Sequence, residues 1–202
     1  MGRPHLAGAS AMRALAHPTR IALLEALRVH DTLTATQASE LIGVSPTNCA
    51  FHLRALARFG LVEQAGTGPG RRRPWRALDV PLAFTDVQDD EQATAAAHAL
   101  SDVLIRHWLG RIASVQAARH TEPPEWLNVL GGSQTIVYAT IDEVQAMIDD
   151  IRAVLGRYAD RLGDSSQRPA GHRAIEMLLF AQRYDPAAGQ APPLPGAQEQ
   201  AH

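Results

Sequence analysis

Two helix starts follow one another with almost no chain between them, and this constrains the fold more than any other feature. Thr34-Ala-Thr-Gln37 has the form of a capping box, with Thr at the N-cap and Gln three residues later. Ser45-Pro46 is a second start, an N-cap residue followed by proline at the first helical position. Gly43 fits a left-handed C-cap for the first helix, which leaves only Val44 as connection. The first helix contributes Ala38, Leu41 and Ile42 to a core. The second carries Cys49, Leu53, Leu56 and Ala57 at core spacing and runs to about Phe59, where Gly60 stops it. Two helices joined this tightly cannot continue one another and must cross, the second braced by the first.

The flanking sequence completes the unit. Residues 1–9 read as a flexible lead, and a first helix is expected from Ser10, as N-cap, to Ala16. Pro18 suits the first turn of a second helix, with Ile21, Leu24 and Leu27 on one face and an end near His30-Asp31. After Gly60, Leu61-Val-Glu-Gln64 is strand-like, Gly66-Thr-Gly-Pro-Gly70 can only be a turn or loop, and 71–78 returns as a second strand. The order is helix, helix, helix, turn, helix, hairpin.

Charge divides the chain at the same place. All 19 basic residues are Arg and none is Lys, a bias that points to a GC-rich bacterial genome more than to function. Residues 1–80 hold 10 Arg against 5 acids, whereas residues 81–202 hold 9 Arg against 16, so a net charge of −2 conceals a basic and an acidic half. Such asymmetry fits a polyanion-binding module joined to a second part. No apolar run approaches the length of a membrane span, no secretory signal is visible, and the single cysteine, Cys49, rules out an intrachain disulfide and a Cys-rich zinc site. A soluble cytoplasmic protein is expected.

Beyond Pro81 an acid-rich linker precedes a long helix over about 89–119. Its apolar stripe, Ala93, Ala96, Ala97, Leu100, Val103, Leu104, His107, Trp108, Ile112 and Val115, is long for a core helix and apt for an interface between chains. Thr135–Ala139 reads as a strand. Thr140-Ile-Asp-Glu143 is a second capping box opening a helix to about Leu162, with Val144, Met147, Ile148, Ile151, Val154, Leu155 and Tyr158 as its stripe. A loop follows, then a β-leaning run over 173–184. The strands 134–140 and 173–184 are expected to pair, in a direction the sequence leaves open. Residues 185–202, rich in Pro, Gly, Ala and Gln, read as a flexible tail.

The crossed helices supply the functional reading. A helix that enters the major groove presents its N-terminal half to base edges, with the positive end of its dipole toward phosphate. Ser45, Thr47, Asn48, Phe51, His52 and Arg54 are the candidates on this helix. Asn reads adenine bidentately, Arg reads guanine, and Phe touches a thymine methyl. For His52, phosphate contact and helix packing both stay open. On the hairpin Arg71, Arg72, Arg73 and Arg76 are placed to meet the flanking backbone or minor groove, with Trp75 as packing. Cys49 falls on the inward face with Leu53 and Leu56, the position of an inert core thiol rather than a redox switch.

Residues about 10–80 resemble the winged helix-turn-helix of ArsR-type bacterial regulators. The residues that carry the resemblance are Leu15-Ala-His-Pro-Thr-Arg-Ile21, Ala38-Ser-Glu-Leu-Ile-Gly-Val-Ser45, His52-Leu-Arg-Ala-Leu56 and Gly60-Leu-Val62, and the spacing between these blocks also matches. The resemblance implies a dimeric repressor or activator on a palindromic operator. The remainder more weakly resembles C-terminal halves attached to some such regulators, with a Trp-containing loop, a strand and a Tyr-Ala-Thr-x-x-Glu helix start. Metal-sensing members use cysteines near the third helix, or Asp, His and Glu pairs on the long C-terminal helix. This chain has no cysteine in 34–42, and His98, Asp102 and His107 are the only candidates on its long helix. His98 and Asp102 share a face, but two ligands on one helix make no site unless a dimer mate completes it, so no metal and no cofactor are expected.

The expected fold class is therefore α+β and mainly helical. A winged helix-turn-helix over 10–80 is followed by a dimerisation and ligand-sensing part over 88–184, built from a long helix and a small two-strand α/β unit. Trp108, Trp126, Tyr138, Met147, Met177 and Phe180 are candidates for a small-molecule effector pocket, with ordinary core as the plainer reading of each. The expected partners are double-stranded DNA, a second copy of the chain and a small-molecule effector, with no membrane. The competing reading is a winged-helix protein-interaction module that no longer binds DNA. No Walker loop, G-x-G-x-x-G, G-x-S-x-G or H-E-x-x-H occurs, so an enzyme is not expected.

Overall fold

A computed structural model describes residues 8–66, 73–78 and 90–186. The expected linker over 81–89, the Gly-rich turn over 67–70 and most of both tails lie outside the described residues. Helix α1 spans Ala9–Leu15, α2 Pro18–Val29, α3 Ala35–Ile42 and α4 Pro46–Ala57. Strands β1, Val62–Gln64, and β2, Trp75–Ala77, follow, and then helices α5, Glu91–Ala117, α6, Pro124–Leu127, α7, Ile141–Gly156, and α8, Asp160–Gly163.

The caps explain the boundaries. Thr34 Oγ1 accepts from the Gln37 backbone N–H at 3.2 Å, while the Gln37 side chain accepts from the Thr34 N–H at 2.8 Å. This is the reciprocal box the sequence predicts, and Thr140 and Glu143 repeat it at the start of α7. Gly43 ends α3 at φ 69°, a conformation that costs any residue with a Cβ. Ser45 Oγ accepts from the Asn48 N–H at 3.4 Å, and Pro46 stands first in α4. One start differs from expectation, while α2 begins at Pro18 where the sequence places it. The N-cap of α1 is Gly8 rather than Ser10. The N-cap of α2 is His17, whose Nδ1 accepts from the Thr19 N–H at 3.2 Å, a role its residue type does not advertise.

Strands β1 and β2 pair antiparallel in the register Val62↔Ala77, Glu63↔Arg76 and Gln64↔Trp75. Leu33 adds a single bridge to Trp75, donating to its carbonyl at 2.9 Å and accepting from its N–H at 2.7 Å. The hairpin is thereby tied to the chain entering α3, an anchor not visible in the sequence because one residue carries no periodicity.

The core is one cluster. Leu15, Ile21, Leu23, Leu24, Leu27, Ala38, Leu53, Leu56 and Val62 are buried from the first five elements, with Leu61 just before β1, and Trp75 closes the hairpin over them. The first half of α5 belongs to this same core. Ala96, Ala97, Leu100 and Leu104 are buried there, and α5 packs mainly along α1, with further contact to α2. The small Ala side chains let the two helices approach closely, so the stripe expected to serve an interface is covered over this stretch by the chain itself. Its continuation is half-buried at His107 and Trp108 and exposed at Ile112 and Val115.

Beyond Leu104 none of the described residues is buried. Helix α7 starts at its predicted cap but ends at Gly156, short of the expected Leu162, with the short α8 after it; Met147, Ile151, Val154 and Tyr158 on the expected stripe are exposed. The strands expected at 134–140 and 173–184 are not formed: residues 130–140 and 172–185 have neither helix nor ladder. A strand is defined by its partner, and neither segment meets one among the described residues. Side chains hold 172–185 instead. Arg111 bonds Glu176, the Phe180 ring stands edge-on to Trp108 at 5.8 Å, and Arg173 pairs with Glu122 at 2.6 Å.

Candidate nucleic-acid interface

Helix α4 divides into two faces. Cys49, His52, Leu53 and Leu56 are buried inward, while Thr47, Asn48, Phe51, Arg54 and Arg58 are exposed. At 100° per residue the exposed set forms one continuous face, and α3 packs behind it. Thr47, Asn48, Phe51 and Arg54 therefore stand where the sequence places them. Arg58, one turn beyond Arg54 at the C-cap of α4, extends the face; it lay within the expected helix, but sequence reasoning took only the N-terminal half as the contact surface. Ser45 is exposed, and with its oxygen accepting the cap bond its O–H remains free to donate. Phe51 is 57% exposed, a large ring left in water at the centre of the face.

His52 does not belong to this face. It is 5% exposed, and its ring lies 4.5 Å from that of His17. Its Nδ1 accepts from Arg20 Nε at 3.4 Å. Burial, and then the nearby His17 and Arg20, hold its pKa below the ordinary histidine value of 6.5. Burial and Arg20 do the same for His17. Both rings are thus neutral at neutral pH, and His52 supports the face from behind instead of carrying charge to a phosphate. The reason is geometric: its 100° offset from Phe51 turns it toward α2. Cys49 is fully buried, its Sγ donating to the Val44 carbonyl at 3.4 Å, and burial pushes the thiol pKa up. It is the inert core thiol its spacing predicts.

On the hairpin Arg73 and Arg76 are exposed, and Arg71 and Arg72 lie outside the described residues. Arg76 is engaged across the ladder: its Nε donates to Glu63 Oε1 at 2.6 Å and its Nη2 lies 2.5 Å from the same oxygen. Both partners are well exposed, so this pair adds little stability, but it offsets part of the charge expected on the wing.

The candidate effector residues do not gather in one cavity. Trp108 meets Phe180, Trp126 lies under the Arg173 guanidinium at 5.0 Å, and Tyr138 and Met147 line a shallow groove beside α7. Met177 is exposed apart from these. Of the three metal candidates, His98 and Asp102 are exposed, and His107 is turned to α2, its Nε2 2.8 Å from Glu25 Oε2. Among the described residues no group of three ligating side chains comes together.

That contact is part of a linkage between the two halves. Glu25 on α2 also accepts from Arg111 at 2.6 and 3.1 Å, and Arg111 reaches on to Glu176. Burial alone would raise the Glu25 pKa, but the hydrogen bonds from Arg111 and His107 outweigh it and hold the carboxyl below its usual range. Arg168 makes a second link, to Asp31 after the end of α2, at 2.9 Å.

No curated protein matches the chain. Residues 15–65 match a family model described as a helix-turn-helix domain, a span from the end of α1 through β1. The braced, outward-facing α4 and its tight connection to α3 are therefore the helix-turn-helix of an N-terminal domain in a mainly helical chain.

Proposed function

We propose that this protein is a sequence-specific DNA-binding transcriptional regulator of the ArsR type, a homodimeric repressor on a palindromic operator. The observation that carries the reading is the exposed face of α4, where Thr47, Asn48, Phe51, Arg54 and Arg58 form a polar, aromatic and cationic surface without a single acid. In the major groove Asn48 and Arg54 would read bases, and the wing arginines Arg73 and Arg76, with Arg71 and Arg72, would meet the backbone.

The C-terminal half supports the dimer. Folded alone, it leaves Ile112, Val115, Ile136, Val137, Met147, Ile151, Val154 and Phe180 exposed, apolar side chains of the kind a partner surface covers. In this proposal the partner chain covers it, and an effector pocket forms only where the two chains close over the scattered aromatic residues. No catalytic step is part of the proposal. The exposed stripe of α7 would equally serve a protein-interaction module that has lost DNA, and salt-insensitive or absent DNA binding would select that alternative.

Fluorescence anisotropy against duplex DNA from upstream of its own coding sequence, with a scrambled duplex as control at two salt concentrations, tests the reading. The expected result is preference for the upstream duplex, with affinity falling as salt rises by about 0.9 in log K per log unit for each phosphate neutralised. Asn48→Ala and Arg54→Ala should each cost about 1–3 kcal/mol at one base pair and relax specificity there. Unchanged affinity in both variants would remove them from the interface.

A further inference from the structure

The recognition face does not stop where the base-reading residues do. Beyond Phe51 it opens into a cleft of about 490 Å³ between α4, α1 and the start of α2. Four guanidinium groups line it, those of Arg13, Arg20, Arg54 and Arg58, flanked by Phe51 and Phe59, and no Asp or Glu does. Arg20 is fixed in place by its bonds to the Ala14 carbonyl and His52 Nδ1. Among the described residues Arg13, Arg54 and Arg58 make no ion pair, whereas Arg111, Arg152, Arg168 and Arg173 in the C-terminal half each face a carboxylate.

Four like charges around one cleft repel one another, and an anion that enters is held by guanidinium forks matched to phosphate oxygens. Length decides which anion. From Thr47 to Arg58 the helix rises about 16 Å, and the major groove of B-DNA is only about 12 Å wide. A helix whose first turn meets base edges and whose axis is inclined across the groove carries its last turn to the phosphate strand that bounds it. Arg58 sits on that last turn, and Arg13 faces it from α1 across the cleft.

We infer that the cleft between α1 and α4 is a phosphate clamp, in which Arg13 and Arg58, with Arg20, grip the duplex backbone flanking the groove in which Arg54 reads bases. The inference rests on the DNA-binding reading and extends it to α1, outside the helix-turn-helix. The Phe51 and Phe59 rings wall the cleft and reduce the water that would screen the contact.

The test is anisotropy of the full chain on a mixed-sequence duplex, titrated over a range of salt. Arg13→Ala/Arg58→Ala, both exposed positions, should melt like the wild type. The double variant should bind at least about tenfold more weakly at 50 mM salt and flatten the slope of log K against log salt by about 1.8. Arg157→Ala, an exposed charge on the C-terminal half, should leave both quantities unchanged. Wild-type slope and affinity in the double variant would overturn the clamp while leaving the DNA reading intact. An equal loss from Arg157→Ala would also overturn it, since the effect would then be one of net charge. A wild type that binds no duplex would overturn both readings.

Discussion

His52 shows how one side chain can be read in two ways until its neighbours are known. It stands next to Phe51 on the recognition helix, yet its ring lies tilted against that of His17 and is tied to Arg20. The depressed pKa values of both histidines have a consequence for stability. A histidine whose folded pKa lies below 6.5 binds its proton less readily folded than unfolded. Its contribution is complete above about pH 6.5 and is lost as pH falls through the lower folded value. Glu25, depressed from 4.5, adds a loss of the same sign only at lower pH. Urea unfolding followed by circular dichroism should therefore show stability falling from pH 7 to pH 5. His52→Gln should be less stable at pH 7 by about 1–2 kcal/mol and should fall less steeply. Parallel profiles for the two proteins would mean that the buried pair does not titrate.

At the scale of elements, the N-terminal helices follow their caps. The box at Thr34, the left-handed Gly43 and the Ser45-Pro46 start are local signals, each satisfied by atoms within a few residues, so they survive translation from sequence to structure unchanged. Gly43→Ala should cost about 1 kcal/mol, because the new Cβ meets no neighbour but the backbone remains left-handed. Thr34→Ala should cost a similar amount, about 1 kcal/mol, through loss of the cap. The midpoint of urea unfolding measures both, and a neutral Gly43→Ala would mean that the turn has another way to close. The C-terminal strands failed for the opposite reason. The alternation in 135–139 and 173–184 records an extended chain with an apolar side, but a ladder needs a partner, and propensity does not supply one.

At the scale of the molecule, the two halves are stabilised differently. The N-terminal domain and the first half of α5 share a closed core, whereas the remainder is held to it by Glu25, His107, Arg111 and Glu176, by Arg168 with Asp31, and by the contact of Trp108 with Phe180. Met147, Ile151 and Val154 on α7 stay 39–47% exposed, each forgoing roughly 1 kcal/mol of burial. If the proposed dimer closes over this face, Ile151→Asp/Val154→Asp should convert it to a monomer in light scattering after size exclusion, with little change in the helix content of the single chain. A variant that remains dimeric would place the interface away from α7.

The sequence by itself determined the helix-turn-helix, the outward Thr47, Asn48, Phe51 and Arg54, the inward Cys49, and the long α5 and α7. Caps, glycine conformations and the 3.6-residue period act within one or two turns, so the residues that encode them lie side by side in the chain. Only the tertiary structure decided that His52 turns inward to His17 and that Leu33 anchors the hairpin. It also decided that Arg76 pairs with Glu63, and that Arg13 faces Arg58 across a cleft. Each of these joins elements distant in sequence, and a period along one helix carries no information about which helix lies against it. The stripe on α5 makes the distinction plainest. Its apolar period was legible along the whole helix, but whether α1, solvent or a second chain would cover each turn depended on the close approach that Ala96 and Ala97 allow, and that is a property of two helices together.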